Sequence, residues 1–202
     1  MDNRSTKQKI LDAALDLFST QGFEATSVSQ IADRVGIRKA SVYSHFASKQ
    51  EILECLMQEV MKQYGRYTIF FGNGTVNQDL SVESITEMIV GHIQYITHDP
   101  QIVKGRKMLT VEQFRNPMLA KVQTKQNYTH VMNFFVTLIE KLTEHGILSD
   151  NGPEITAAQL CLPISMWINL CAREPERENE VIELIRRHII RFFDMYSIKR
   201  EK

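Results

Sequence analysis

The chain has 202 residues, with 24 Lys and Arg against 24 Asp and Glu, so its formal net charge is zero. This balance excludes a polybasic protein of the histone type, and any affinity for nucleic acid has to come from a local patch. Hydrophobic residues make up 43% and charged residues 24%, proportions that are typical of a folded globular chain and exclude intrinsic disorder. The length suits one or two domains with a substantial core.

Membrane insertion and secretion are not expected from the sequence. The longest apolar candidate, Val131 to Leu142, is interrupted by polar and charged side chains, so we expect no membrane-spanning segment. No apolar stretch follows the first charged residues, and we therefore expect no secretory signal. Three cysteines without a CxxC pair favour a reducing cytoplasm, and each is most simply a small buried hydrophobe: Cys55, Cys161 and Cys171.

The positions of proline and glycine in the chain predict helices. Five prolines and nine glycines stand mostly at the edges of periodic segments. No window combines β-branched residues with period-two alternation and turn signals on both sides. We therefore predict an all-α fold with essentially no sheet.

Three Ser-x-x-Gln or Ser-x-x-Glu capping boxes predict helix starts at Ser5, Ser27 and Ser48. After Ser5, apolar residues recur every three or four positions, and Gly22 is expected to end this helix in a left-handed conformation. The second helix is short and ends at Gly36. The third helix start opens a longer amphipathic segment, whose free backbone amides suit a phosphate.

Between the second and third capping boxes lies a further short helical segment, Arg38 to Phe46. Val42 and Phe46 are four residues apart and form its buried face, while the other face carries short or hydrogen-bonding side chains. Ala32 allows a close helix crossing and Gly36 allows the turn. This pattern predicts a helix-turn-helix whose second helix enters a DNA major groove.

Charge is distributed unevenly along the chain. Residues 1–50 carry a net charge of +2 and the remainder −2, and no acidic residue occurs from Arg34 to Lys49. A basic element of this kind favours contact with phosphates. The alternative, a solvated helical hairpin whose basic face has no function, stays open at this point.

A dense series of motifs covers residues 5–60. It comprises Leu-Phe before Gly-Phe at 17–23, Thr-Ser-Val-x-x-Ile-Ala at 26–32, Val-Gly-Ile-Arg-Lys-Ala-Ser-Val-Tyr-Ser-His-Phe at 35–46, and Ser-Lys-Gln-Glu-Ile-Leu at 48–53. The series resembles the DNA-binding domain of the TetR family of bacterial transcriptional regulators. The resemblance implies an N-terminal three-helix DNA-binding domain over residues 4–64 and a larger helical domain for effector binding and dimerisation over 65–202.

The resemblance also implies a set of DNA contacts. Arg38 would suit a guanine and Ala40 a thymine methyl group. Tyr43 would reach a phosphate, although a packing role for its ring stays open. Ala40 and Ser41 stand where Gly and Thr are common, which bears only on the operator sequence. The implied DNA-binding residues are Thr26, Arg38, Lys39, Ala40, Ser41, Tyr43, Ser44, His45 and Lys49.

The rest of the chain is predicted to be helical after a connector over Tyr64–Gln78, where glycines and asparagines break the helical period and the fourth helix is expected to end. Four of the five further helices begin with proline, which is favoured at the first helical position. These helices are Ser81–Thr97, Pro100–Phe114, Pro117–His145, Pro153–Ala172 and Pro175–Ser197.

The last two helices are apolar on more than one side, which predicts a homodimer through these helices; a monomeric core is the alternative. A two-fold dimer would match a palindromic operator of double-stranded DNA. A small-molecule effector is also implied, and its candidate contacts are adaptable or aromatic side chains for which ordinary packing is the simpler explanation. These candidates are Met88, His92, Tyr95, Phe114, Tyr128, Met132 and Trp167.

No catalytic motif, cofactor motif or metal-ligand spacing was found, so we expect neither an enzyme nor a cofactor or metal site. The main hypothesis is a homodimeric, effector-responsive regulator of transcription, most simply a repressor. The alternative is a helical protein of the same architecture that binds small molecules or protein partners and not DNA. Redox sensing through Cys161 and Cys171 is a third possibility.

Overall fold

The computed structural model describes residues 4–72, 80–149 and 152–198. Within these ranges the backbone is helical apart from turns, and its one β-bridge is the isolated pair Leu148 and Ser197, so the predicted all-α fold is confirmed. A π-helical turn, Lys125–Thr129, interrupts the helix predicted from Pro117, and a 3-10 turn, Pro175–Arg177, precedes the last helix. The helices are α1 (Thr6–Gln21), α2 (Val28–Val35), α3 (Lys39–Tyr43), α4 (Lys49–Gly72), α5 (Val82–His98), α6 (Pro100–Glu112), α7 (Pro117–Thr124), α8 (His130–Glu144), α9 (Pro153–Arg173) and α10 (Glu178–Tyr196).

Each predicted capping box marks a helix start, but only the second of the three is complete. The Ser27 hydroxyl accepts from the Gln30 backbone N–H at 3.2 Å, and the Gln30 side chain accepts from the Ser27 N–H at 2.7 Å. At Ser5 and Ser48 the hydroxyl caps the helix as predicted, whereas the side chain three residues later binds other groups. Each of these two helix starts therefore has the hydroxyl cap but not the reciprocal side-chain bond of a capping box.

Two glycines end the first two helices. Gly36 ends α2 as predicted, and it does so in the left-handed conformation, with φ 77° and ψ 33°. Gly22 also has a positive φ, 88°, but its ψ of 165° lies outside the left-handed helical region, so that prediction is wrong in detail. Both positions favour glycine because a side chain at positive φ would be strained.

The fourth helix is longer than predicted. Instead of giving way to a connector over Tyr64–Gln78, α4 continues to Gly72. The remainder of the predicted connector, 73–78, lies outside the described residues. Gly65 costs about 1 kcal/mol relative to alanine inside a helix, which is too little to end it.

The described chain divides into two compact units. The first consists of residues up to Arg66 together with Asp99–Gln123, and the second contains the rest. Helices α6 and α7 thus pack with the N-terminal helices. The functional division into domains 4–64 and 65–202 stays a prediction.

A single core joins the two chain segments of the first unit. Phe18 of α1, Phe46 after α3 and Leu53 of α4 are at most 2% exposed. Met108 and Leu109 of α6 belong to the same cluster of buried side chains. Helix α6 is therefore a structural part of the unit that carries the helix-turn-helix.

The second unit is a bundle of α5, α8, α9 and α10. Helix α9 packs against the other three, and α10 packs against both α5 and α9. The core is aliphatic, with an aromatic contribution from α10. Its buried side chains include Ile89, Leu138, Leu160, Ile189 and Phe193.

Helix α9 is long and apolar enough to cross a membrane by length and composition, and 33% of its most apolar window is buried. The expectation of no membrane-spanning segment rested on the absence of a long unbroken apolar run. It missed α9 because uncharged polar side chains such as Gln159 and Asn169 interrupt the run without making the helix polar. A core helix of a globular protein passes the same test. The exposed part of its apolar surface includes Ile155, Leu162 and Met166.

Substitution of Gly105 tests the close approach of α6 to α4. A Cβ at Gly105 would lie 2.7 Å from Cγ1 of Val60, and a branched side chain cannot move aside easily. We expect Gly105→Ala to lower the free energy of unfolding by about 1–3 kcal/mol. Urea denaturation followed by circular dichroism measures it.

The matched control is Gly91→Ala in α5, where nothing lies within 4 Å of the added Cβ. Because alanine is the better helix former, this control should raise stability by about 0.5–1 kcal/mol. Equal effects of the two substitutions would contradict the packing.

Candidate nucleic-acid interface

Helix α3 has one buried face and one exposed face. Val42 is fully buried and Phe46 is 2% exposed, which seals the inner face against the core. On the outer face most of the predicted DNA-binding side chains are exposed, and Ser41 is half-buried. The exposed ones are Arg38, Lys39, Ala40, Tyr43, Ser44 and His45.

Backbone hydrogen bonds fix the turn that leads into α3. The Ile37 N–H donates to the Ala32 carbonyl at 3.0 Å, and the Ser41 N–H donates to the Arg38 carbonyl at 2.8 Å. The Ser44 hydroxyl donates to the Ser41 carbonyl at 2.7 Å, so the remaining capacity of this hydroxyl is to accept. The outer face therefore offers charged donors at its N-terminal end and an acceptor further along.

Thr26 lies inside the protein, at 1% exposure. Its hydroxyl donates to the Gly22 carbonyl at 2.7 Å and accepts from the Gln21 side chain at 3.1 Å. A hydroxyl has one proton to donate, and this one is used within the protein. This conformation therefore gives Thr26 a role in the turn between α1 and α2 and does not support the predicted phosphate contact.

Lys49 is likewise bound within the protein. Its ammonium donates to the carbonyls of Phe23 at 2.6 Å and Thr26 at 2.9 Å, with a longer contact to Glu24 at 3.4 Å. It also lies 4.2 Å from the centre of the Phe23 ring. Three protons are thus directed at three carbonyls, and Lys49 joins the start of α4 to the turn between α1 and α2.

Two acidic residues that the sequence pattern did not single out belong to this region. Glu112 of α6 is 1% exposed and accepts from the Phe23 N–H at 2.8 Å. Asp16 of α1 pairs with Lys104 at 2.5 Å and with Arg34 at 3.4 Å. These contacts join residues far apart in the chain, and no local motif signals them.

The predicted effector contacts do not form one group. Met88, His92 and Tyr95 are half-buried on α5, in the second unit. Phe114 belongs to the first unit and is 90% exposed, and Tyr128 is 55% exposed, so neither lines an enclosed apolar pocket in this conformation.

Two further candidates are packed against neighbouring helices. The sulfur of Met132 lies 3.5 Å from the Cys161 sulfur, and the Trp167 ring meets the His188 ring edge-on at 5.4 Å. Both contacts lie within the second unit. Packing accounts for these two side chains without a ligand.

Redox sensing by an internal disulfide of α9 is not compatible with the geometry. Cys161 and Cys171 are ten residues apart on one helix, about 15 Å along its axis, which exceeds the reach of a disulfide. Burial raises the pKa of the Cys161 thiol to about 11, so the thiol stays protonated and unreactive near neutral pH.

The N-terminal part of the chain is similar to known regulators. The family model for bacterial regulatory proteins of the tetR family matches residues 10–56. The uncharacterized HTH-type transcriptional regulator TtgW of Pseudomonas putida is 32% identical over 98 residues, 48% of this chain and 67% of TtgW. The negative transcriptional regulator IcaR of the biofilm operon icaADBC in Staphylococcus aureus is 50% identical over 48 residues, which span 24% of this chain and 26% of IcaR.

Solved structures extend the likeness to the whole fold. SmeT, the repressor of the Stenotrophomonas maltophilia multidrug efflux pump SmeDEF, superposes with a TM-score of 0.69 at 18% identity, covering 98% of this chain and 94% of SmeT. A complex of SmeT with triclosan gives a TM-score of 0.66 at 18% identity, with 97% of this chain and 93% of that chain covered. The arrangement of helices is therefore shared well beyond the matching sequence.

Replacement of lysines tests the two roles separately. Lys49→Met removes the donor for three carbonyls, and we expect it to lower the free energy of unfolding by about 1–3 kcal/mol. Lys39→Met removes the same charge from the exposed face of α3 and should change stability by no more than about 0.5 kcal/mol. Urea denaturation of both variants measures the difference. Equal losses of stability would contradict the assignment of Lys49 to the turn.

Proposed function

The chain belongs to the TetR family of bacterial regulatory proteins, and on that premise we propose that it is a dimeric repressor that a small-molecule effector releases from a palindromic DNA operator. IcaR is a negative regulator and SmeT a repressor, which supports repression here. Binding to chromosomal DNA would place the protein in the cytoplasm.

The exposed outer face of α3 is the observation that carries this proposal. Arg38 lies at the N-terminal end of the helix, where side chains reach base edges in a major groove, and its guanidinium suits guanine. Ala40 is small enough for close approach to a thymine methyl group. Lys39, Tyr43 and His45 flank this position and would contact the DNA backbone.

The net charge of the first unit also supports DNA binding through α3. Its residues, including α6 and α7, contain fourteen Lys and Arg against ten Asp and Glu, a net charge of +4, which leaves −4 for the second unit. The basic excess therefore belongs to the unit that carries α3. Few phosphate-directed cations per subunit mean that tight binding requires two subunits and direct base contacts.

The dimer would form through α9 and α10. Ile155, Leu162 and Met166 lie within about 40° of one another around α9 and are exposed by 46–68%. Ile190 and Met195 add exposed apolar surface on α10. A second copy of the chain would cover this surface, and two-fold symmetry would match a palindromic operator.

The effector would bind within the second unit. The half-buried Met88, His92 and Tyr95 lie at spacings of three and four on α5, and such side chains suit a small apolar molecule with a polar group. The complex of SmeT with triclosan supports small-molecule binding by a protein of this fold. Binding would favour a dimer state in which the two α3 helices have the wrong separation for successive major grooves, about 34–36 Å apart.

A mobility-shift assay with duplexes from the gene's own upstream region tests DNA binding. Arg38→Ala removes a base contact and should weaken binding by about 10- to 100-fold, which corresponds to about 1–3 kcal/mol. Tyr43→Phe should weaken it less, since one phosphate hydrogen bond is lost. Lys125→Ala, which removes one charge from an exposed site outside the helix-turn-helix, should leave binding unchanged.

The alternative function predicts a different result. A helical protein that binds only small molecules or protein partners would leave all duplexes unshifted at low salt. The wild-type protein alone therefore decides between the two functions.

Sedimentation velocity tests the dimer. The wild-type protein should sediment with twice the chain mass of 23.4 kDa, and Leu162→Glu combined with Met166→Glu should give the monomer because two carboxylates would be buried without partners. Phe114→Glu changes the most exposed apolar side chain that the structure describes outside α9 and α10, and it should leave the dimer intact. A monomeric wild-type protein would contradict the proposed interface.

A further inference from the structure

A carboxylate from outside the helix-turn-helix is buried against the turn that precedes it. Glu112, the last residue of α6, is 1% exposed, although glutamates are rarely buried unless they are paired. Its Oε1 atom accepts from the Phe23 N–H at 2.8 Å. Phe23 lies between α1 and α2, 89 residues away in sequence.

Glycine at position 22 makes room for this carboxylate. A Cβ on Gly22 would lie 2.7 Å from Oε1 of Glu112. Gly22 also has φ 88°, which an L-residue with a side chain rarely adopts. The turn favours glycine because of this φ, and the absence of a Cβ leaves room for the carboxylate in its observed position.

The backbone carbonyl of Phe23 is bound by a side chain whose charge is opposite to that of Glu112. The Lys49 ammonium, from the start of α4, lies 2.6 Å from the Phe23 carbonyl oxygen. Phe23 thus donates to a carboxylate from α6 and accepts from an ammonium of α4. Charged partners make both hydrogen bonds stronger than neutral ones.

Helix α6 is held against the same unit at two further points. Lys104 pairs with Asp16 of α1 at 2.5 Å, and Gly105 lies directly against Val60 of α4. Glu112 stands two turns further along α6. Its carboxylate is consequently presented to the turn by a helix whose position α1 and α4 define.

The turn in question leads directly into the DNA-binding element. Helix α2 is capped by Ser27, four residues after Phe23, and the Ile37–Ala32 hydrogen bond joins α2 to the turn before α3. Phe23 is thus separated from the start of α2 by a short segment, and α2 is joined in turn to the start of α3.

We infer that Glu112 is a positioning residue for the DNA-binding surface, which holds the turn at Phe23 so that DNA affinity depends on where α6 presents its carboxylate. This inference rests on the proposed DNA-binding function. It assigns to α6 a direct contact with the turn that precedes α2.

The test pairs two substitutions with opposite properties. Glu112→Asp keeps the charge but withdraws the carboxylate by about 1.5 Å, the length of one C–C bond. Glu112→Gln keeps the length and the accepting oxygen but removes the charge. The matched control is Glu140→Asp, the same shortening at an exposed position of α8.

Two readouts are measured at a temperature where every variant is folded: amide hydrogen exchange at Phe23, and affinity for a duplex that the wild-type protein selects from a random-sequence pool. We expect Glu112→Asp to accelerate exchange at Phe23 and to weaken DNA binding, each by about tenfold, the effect of one lost hydrogen bond to a buried group. Glu112→Gln should weaken DNA binding and accelerate exchange by no more than about threefold, because its neutral oxygen still accepts from the Phe23 N–H, and Glu140→Asp should change neither.

Other results would overturn the inference. Faster exchange at Phe23 with unchanged DNA affinity would mean that the contact is structural only, and unchanged exchange would mean that the contact is not made. If Glu112→Asp does not fold, the wild-type protein decides, since exchange at Phe23 should slow on binding the duplex and unchanged exchange would overturn the inference. A wild-type protein that selects no duplex contradicts the proposed function itself, whereas a loss confined to the Glu112 comparison contradicts only this inference.

Discussion

Helix α3 has only five residues, and a helix of that length has no stability of its own in water. The exposed face that we propose for DNA contact therefore depends on the burial of Val42 and Phe46, which attach α3 to the core of the first unit. The outer face can be polar and exposed without loss of stability, because burial of the inner face already holds α3 in place. Short or hydrogen-bonding side chains on the outside and large apolar ones on the inside are two requirements of one element.

Because α3 depends on the core of the first unit, the size of that core explains why α6 belongs with the N-terminal helices. Helices α1, α2 and α3 alone offer a small core, and small cores supply little free energy of folding. Met108 and Leu109 of α6 enlarge that core, and the bare backbone of Gly105 lets α6 approach α4 closely. The polar contacts of Lys104 and Glu112 then fix the orientation of α6 along the surface that apolar packing created.

Net neutrality conceals a division of charge. The unit that carries α3 has a net charge of +4 and the other unit −4, a larger separation than the first fifty residues alone indicate. Some of the basic residues nevertheless serve the protein itself. The Lys49 ammonium is directed at three backbone carbonyls, so a count of lysines overstates the charge that is free to meet phosphates.

The all-α fold, the helix starts at Ser5, Ser27 and Ser48, and the buried pair Val42 and Phe46 could be predicted from sequence alone. These features depend on contacts between residues three or four apart, which a linear pattern records directly. The end of α4 and the internal roles of Thr26 and Lys49 could not, because a hydroxyl or ammonium is equally suited to a phosphate and to a carbonyl. The Thr26 contact is local, but its geometry depends on the conformation of the turn at Gly22. Only tertiary structure decided that the Phe23 carbonyl lies within reach of Lys49, and that Glu112 meets Phe23 across 89 residues of chain.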